Sequence, residues 1–305
     1  MSRILYVIIA ILSFILITFL VLIFFSIRSL NSQLVTPIAI SPTINTQNKD
    51  INTSQIISLK DAVDASLSGS KGTYAVFIKN LKTNEVYQLN QTKKFAAGSL
   101  YKLWIMAVTY QQIEQGKISP DDILSADVAD LNERFDIATE SAELTEGTIS
   151  MSISDALEKM ITISDNYSAL LLSAKIRFSN VIQFLKDEGF QDSSIGEPPM
   201  TTVQDLGLFL EKLYHKELIS QNSSNKMLNL LKNQQKNNKL PKYLPENITI
   251  AHKTGEIDTF THDAGIVYIP NNDYIIIVMS DTDDPKTAEE TIAKISQSIY
   301  NIFNP

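Results

Sequence analysis

The chain of 305 residues contains no cysteine. That excludes structural disulfides, cysteine-based zinc sites, a thiol nucleophile and a lipid-modified N-terminal cysteine. Histidine is scarce at three, and no H-E-x-x-H or comparable ligand cluster occurs, so metal catalysis is disfavoured and no cofactor or metal is expected. Glycine and proline number only 10 each, beside 44% hydrophobic and 20% charged residues, which excludes a collagen-like or fully disordered chain. Basic residues are outnumbered 26 to 34, and the net charge of −8 argues against a general nucleic-acid binder. The length admits one or two domains.

What is present is unevenly spread. Residues 4–27 run without a single charge, interrupted only by Ser13, Thr18 and Ser26. As a helix this run would span roughly 36 Å, enough for a hydrocarbon core of about 30 Å. A cleaved signal peptide has a shorter apolar core and a small-residue cleavage site, and Arg28 follows here without one. The preferred reading is a transmembrane anchor over residues 1–30 with a short cytoplasmic end, and a cleaved signal is the alternative. Arg3 and Arg28 flank the run, so the positive-inside tendency is weak. The expectation is a single pass in the cell membrane with the bulk of the chain extracytoplasmic. Leaving out residues 1–30 removes two arginines and no acid; 24 basic residues then face 34 acids, a net −10. Residues 31–55, rich in Ser, Thr, Asn and Gln, read as a flexible linker.

From residue 56 the pattern is globular. Leu59, Val63 and Leu67 share a helical face; 73–79 and 85–89 read as strands, and 95–115 as an apolar helix. Between 120 and 250 the segments 154–162, 169–178 and 203–214 have helical spacing. Strands return at 248–253, 264–269 and 274–280, the last two joined by the turn Pro270-Asn271-Asn272-Asp273. Ile292, Ile295, Ile299 and Ile302 mark a closing amphipathic helix. This order predicts an α+β fold in three α/β/α layers. One antiparallel sheet is built from both chain ends, with the first and last helices on one face. The α/β lobe takes 56–98 and 249–305, and a helical lobe takes 99–248. A site belongs in the cleft between them.

Without cysteine, the nucleophile for hydrolytic chemistry is sought among the serines. A Ser-His-Asp arrangement lacks the G-x-S-x-G elbow. A Ser-x-x-Lys pair on a helix places both side chains on one face, and a desolvated lysine can take the serine proton. The spacing occurs at Ser68–Lys71, Ser99–Lys102 and Ser223–Lys226. Only Ser99–Lys102 opens an apolar run, after Gly98; read blandly, Ser99 is a helix cap. Ser164-Asp165-Asn166 sits between two apolar helical segments, as a cap or a site. Lys253-Thr254-Gly255 ends the apolar strand ITIAHK, where a turn is the commoner reading.

S-x-x-K, S-D-N and K-T-G in this order resemble the class A β-lactamases and penicillin-binding proteins, from about residue 56 to 305. The resemblance implies that Ser99 is the acylated nucleophile, Lys102 its base or proton relay, and Ser164 the donor to the leaving nitrogen. It implies that Asn166 holds the substrate amide, that Lys253, Thr254 and Gly255 form the wall binding the substrate carboxylate, and that the backbone N–H groups of Ser99 and Glu256 form the oxyanion hole. Three features depart from the family. The loop before K-T-G looks shortened and lacks its usual asparagine, which weakens Glu197 as the deacylating base. Glu256 stands where the family carries a small residue, and its carboxylate would repel that of a penicillin unless it turned to solvent. No arginine follows K-T-G; His262 is a weak substitute. The expected partner is a β-lactam or a D-Ala-D-Ala-type peptide, with the lipid bilayer held through residues 4–27. The function expected is hydrolysis of β-lactam amide bonds by a monomer, with a D,D-carboxypeptidase or a non-turnover wall-binding module as alternatives.

Overall fold

A computed structural model describes residues 58–305. Helix α1 (Leu59–Leu67), strands β1 (Thr73–Asn80), β2 (Val86–Leu89) and β3 (Phe95–Ala96), and a 3-10 turn (Gly98–Tyr101) lead into α2 (Lys102–Glu114). The middle of the chain holds β4 (Ile123–Asp127), α3 (Val128–Arg134), β5 (Thr148–Ser152), α4 (Ile153–Thr162), α5 (Asn166–Ile176), α6 (Phe178–Glu188), β6 (Met200–Thr201), α7 (Val203–His215) and α8 (Gln221–Lys232). Strands β7 (Thr249–Ile257), β8 (Phe260–Tyr268) and β9 (Tyr274–Asp281) follow, and α9 (Pro285–Phe303) closes the chain.

The main sheet has the order β2-β1-β9-β8-β7 with every neighbour antiparallel, so both chain ends build it and β7 is an edge. Side chains alternate across a strand. Tyr74, Val76 and Ile78 of β1 with Ile276 and Val278 of β9 pack against Leu59 and Val63 of α1 and Ile292, Ile295 and Ile299 of α9. Ala75, Phe77, Ile275, Ile277 and Met279 point the other way, into a larger core that contains Trp104, Leu157, Phe184 and Phe209. Both faces are covered, so β1 and β9 read as continuous apolar runs rather than as alternation. The helical insert shares its core with one sheet face, and α7 lies directly on it: a Cβ at Gly207 would sit 2.7 Å from the Phe77 ring.

The architecture is the α+β arrangement expected, with local differences. The apolar stretch 95–115 is not one helix. Gly98 has φ +48°, and the chain makes a 3-10 turn before α2 starts at Lys102. The segment expected as helix over 169–178 ends earlier, because Arg177 takes φ 67° and separates α5 from α6. Helices α3 and α8 begin at side-chain caps, Asp127 accepting from Ala129 N at 2.8 Å and Ser220 accepting from Ser223 N at 3.1 Å. The Ser223–Lys226 pair therefore sits on a capped surface helix, where Ser223 Oγ donates to Glu114 at 2.6 Å. Among the described residues no helix is long and apolar enough to cross a membrane. The expected anchor over 1–30, its bilayer contact through 4–27 and the linker over 31–55 lie outside the described residues.

Candidate active site

Two short pairings hold the chain around Ser99. Phe95 and Ala96 pair with Thr201 and Met200, and Ala97 N donates to Pro199 O at 2.7 Å. Gly98 then turns the chain and leaves Ser99 half-buried on the 3-10 turn. No side-chain cap is made at that turn, so Ser99 is not spent as a helix cap. The edge of β7 abuts it: a Cβ at Gly98 would lie 2.8 Å from Glu256 N, and one at Gly255 would lie 2.7 Å from Ala97 O. Two glycines thus let two backbones meet, and the Glu256 amide lies beside the Ser99 turn.

Lys102 is fully buried at the start of α2. Its Nζ donates to Ser164 O at 2.6 Å, Asn166 Oδ1 at 2.6 Å and Ser164 Oγ at 3.3 Å. Lys253, also fully buried, donates to the same Ser164 Oγ at 2.9 Å and to Thr254 O at 3.1 Å. Ser164 reaches both lysines from a backbone with φ 64°, a region costly for a non-glycine residue and found where a site over-determines it. Asp165 meanwhile caps α5 by accepting from Ser168 N at 2.7 Å. The S-D-N triplet is therefore cap and site together. Asn166 is exposed, and its Nδ2 donates to Glu143 at 2.6 Å. A cavity of about 190 Å³ lined by Tyr101, Glu143, Asn166 and Leu170 adjoins it.

Burial is the dominant influence on these lysines. Desolvation lowers the Lys102 pKa from 10.5 to about 7, assisted by the Lys236 charge and opposed by the carboxylates of Asp165, Glu143 and Glu256. Lys253 is held well below its ordinary value, first by desolvation and next by the charge of Lys102. A neutral lysine amine at neutral pH is a base.

The Glu256 carboxylate neither turns freely to solvent nor stands unpaired. It contacts the fully buried Lys239, and its other oxygen lies 3.7 Å from Lys236 Nζ. Burial works to raise its pKa, but Lys239, Lys236 and Lys253 outweigh that and keep it ionised. His262 does not replace the absent arginine. It is completely buried, Nε2 donates to Ala96 O at 2.8 Å, and Nδ1 accepts from Ser280 N at 3.1 Å. Desolvation lowers its pKa to about 4, which keeps it neutral. Thr254 is buried, and its hydroxyl has no hydrogen-bond partner.

The structure thus brings together Lys102, Ser164, Asn166 and Lys253, with Ser99 and Glu256 N adjoining. Glu197 is exposed, and no hydrogen bond links it to Ser99 or Lys102. It lies two residues before Pro199, the partner of Ala97. His215 is exposed at the end of α7, away from these contacts. Sequence reasoning missed Lys236, Lys239 and Glu143. The two lysines lie in the polar run KNNKLPK, which carries no periodicity to separate a buried lysine from a solvated one.

A serine half-exposed on a turn, two desolvated lysines joined through a second serine, and a backbone amide at a sheet edge define a serine hydrolase site. The sequence model of the β-lactamase enzyme family matches residues 58–303. The chain belongs to that family and is a β-lactamase-type serine hydrolase. It is 21% identical over 278 residues to the extended-spectrum β-lactamase PER-1 of Pseudomonas aeruginosa, covering 79% of this chain and 86% of that one. The fold is similar to a β-lactamase from Sphaerobacter thermophilus DSM 20745, with TM-score 0.71, 23% identity and coverage of 80% and 95%. It is equally similar to PBP-A, with TM-score 0.71, 24% identity and the same coverage. A mutant of PBP-A forms an acyl-enzyme complex with penicillin G.

Proposed function

We propose that this chain is a membrane-anchored, extracytoplasmic enzyme acylated at Ser99 that hydrolyses the amide bond of β-lactams. The carrying observation is the buried Lys102–Ser164–Lys253 cluster beside Ser99, with the Lys102 pKa near 7. Neutral Lys102 takes the Ser99 proton as Oγ attacks the lactam carbonyl. The oxyanion forms against the backbone N–H groups of Ser99 and Glu256. As the C–N bond breaks, Ser164 gives its proton to the leaving nitrogen, and the proton held on Lys102 restores it. Asn166 holds the substrate amide once its Nδ2 leaves Glu143, and Lys253, Thr254 and Gly255 form the opposite wall. One chain supplies all these groups, which suits a monomer. The anchor reading rests on residues 4–27 of the sequence.

A second reading, slow deacylation as in a D,D-carboxypeptidase or a penicillin-binding module, is favoured by Glu197, which is exposed and has no hydrogen bond to Ser99 or Lys102. The full chain in detergent is incubated with a fluorescent penicillin, and labelling and release are followed. Fast labelling with fast release supports hydrolysis. A persistent adduct supports the second reading, and a D-Ala-D-Ala peptide assay then separates peptidase from binder. Ser99→Ala is expected to abolish labelling without changing the melting temperature, and Glu197→Gln slows release if Glu197 is the hydrolytic base. Absence of any Ser99 adduct would overturn the catalytic reading.

A further inference from the structure

The loop 135–147, between α3 and β5, brings to the site a carboxylate that no motif marks. Glu143 Oε1 accepts from Asn166 Nδ2 at 2.6 Å, and Asn166 Oδ1 accepts from Lys102 Nζ at 2.6 Å. One amide side chain therefore joins this carboxylate to the buried amine. The next residue pins the loop in place. Leu144 N donates to the Tyr167 hydroxyl at 3.1 Å, and Leu144 O accepts from Asn132 Nδ2 at 2.8 Å. Tyr167 and Asn132 are both buried, and the Tyr167 hydroxyl lies 3.0 Å from Asn132 Oδ1. Glu143 also borders the cavity of about 190 Å³, together with Tyr101, Ser141, Asn166 and Leu170. At about 30 Å³ for each water that is room for several, with Glu143, Asn166 and Ser141 as their polar partners. Three carboxylates act on Lys102 through their charge: Asp165, Glu143 and Glu256. Asp165 caps α5, and Glu256 is paired with Lys239 and Lys236. Glu143 has neither commitment: among the described residues its one side-chain hydrogen bond is that to Asn166.

We propose that Glu143 is the general base of the hydrolytic half-reaction, activating the water that frees Ser99 from its acyl group. The proposal rests on the reading of Ser99 as the acylated nucleophile. It puts the base on the loop before S-D-N, whereas Glu197 lies on the loop before K-T-G. A substrate amide that takes Asn166 Nδ2 releases the Glu143 oxygen it held, and that oxygen is then open to a water in the cavity. Glu143 takes one proton from the water as the water oxygen bonds to the ester carbon. The charge that develops on the carbonyl oxygen falls on the N–H groups of Ser99 and Glu256. The bond from Ser99 Oγ to carbon then breaks, and the proton on Glu143 passes through the Lys102 amine to Ser99 Oγ. Ester and water thus give a free carboxylic acid and the Ser99 hydroxyl, with Glu143 and Lys102 restored. Lys102 serves acylation and Glu143 serves hydrolysis, so the two half-reactions have separate bases.

The test uses the full chain in detergent and a fluorescent penicillin, with labelling and release timed separately and the adduct on Ser99 weighed by intact mass spectrometry. Glu143→Gln keeps an amide oxygen that can still accept from Asn166 Nδ2, and loses only the ability to take a proton. Release is expected to slow by about 10²- to 10⁴-fold, the range for a lost general base. Labelling at pH 7 is expected to change by about twofold or less, because Lys102 is already neutral in about half of the molecules. The adduct therefore accumulates on the variant and clears from the wild type. Glu143 is exposed, so its replacement opens no hole in the core, and Glu143→Ala gives the same accumulation if the glutamine variant folds poorly. A merely positioning role through Asn166 would survive in the glutamine variant, or would slow labelling and release together. The proposal is overturned if Glu143→Gln releases at the wild-type rate, if labelling falls as far as release, or if Glu197→Gln slows release and Glu143→Gln does not. It is also overturned if the wild type itself never releases its adduct, and the acylation reading then stands. Absence of any Ser99 adduct overturns the acylation reading and this proposal with it, so the two failures are told apart by whether the adduct forms.

Discussion

The pH dependence of acylation tests the Lys102 assignment most directly. An ordinary lysine with a pKa of 10.5 is neutral at pH 7 in roughly one molecule in 3,000, whereas Lys102 at about 7 is neutral in about half. Burial thus supplies on the order of a thousandfold more competent base at neutral pH. The neutral amine is the form that accepts the Ser99 proton. The second-order rate of labelling by a fluorescent penicillin should therefore rise with pH, about tenfold per pH unit on the acid side, and level off above a midpoint near 7. Two neighbours act on Lys102 with opposite sign: the Asp165 carboxylate raises its pKa and the Lys236 ammonium lowers it. Asp165→Asn, which can still cap Ser168 N, should move the midpoint down. Lys236→Met should move it up. Each displacement is at most about one pH unit, equivalent to about 1.4 kcal/mol of charge interaction. Lys253 shares Ser164 Oγ with Lys102, so the midpoint belongs to the coupled pair. A profile that rises only near pH 10, or two variants that shift it in the same direction, would refute the assignment.

Gly98→Ala should cost at least about a hundredfold in acylation rate: its Cβ would lie 2.8 Å from Glu256 N at φ +48°, so the oxyanion wall must retreat, and the labelling rate measures it. Ser164→Ala removes the one hydroxyl touching both lysines and should slow labelling by about 10²- to 10⁴-fold, with circular dichroism unchanged. Gly207→Ala drives a methyl into the Phe77 ring at 2.7 Å and should cost about 1–3 kcal/mol, read as a lowered melting temperature.

Much of the fold was legible because its elements carry local signals. The stripe of Ile292, Ile295 and Ile299 marked α9, and all three pack on the sheet. The runs at 73–79 and 274–280 marked β1 and β9, which are buried on both faces and pair along their length. What was not legible depended on single residues in unusual conformations. Arg177 at φ 67° divides an apolar stretch that has continuous helical spacing. Helix α8 has a largely polar composition, and its packing comes from Met227, Leu228 and Leu231 on one side. Of the three Ser-x-x-Lys spacings, the apolar run after Gly98 already singled out Ser99–Lys102, and the tertiary structure agrees: Ser68 follows α1 in a loop, Ser223 bonds to Glu114, and of the three lysines Lys102 alone is buried.

Among the described residues three lysines, 102, 239 and 253, are completely buried, in a chain with a net charge of −8. Their side chains are chemically identical, and sequence cannot assign them different work. The atoms they touch can. Lys102 and Lys253 contact only neutral oxygens, from Ser164, Asn166 and Thr254, so nothing in contact offsets the loss of water, and both are driven towards the neutral amine. Lys239 contacts the Glu256 carboxylate. A buried ammonium with a carboxylate partner is a bridge, whereas a buried amine with neutral acceptors is a base. The difference is set by Glu256, one residue beyond K-T-G and 17 positions from Lys239 in the chain. That one side chain closes the end of β7 as an ion pair, while its backbone amide lies beside the Ser99 turn.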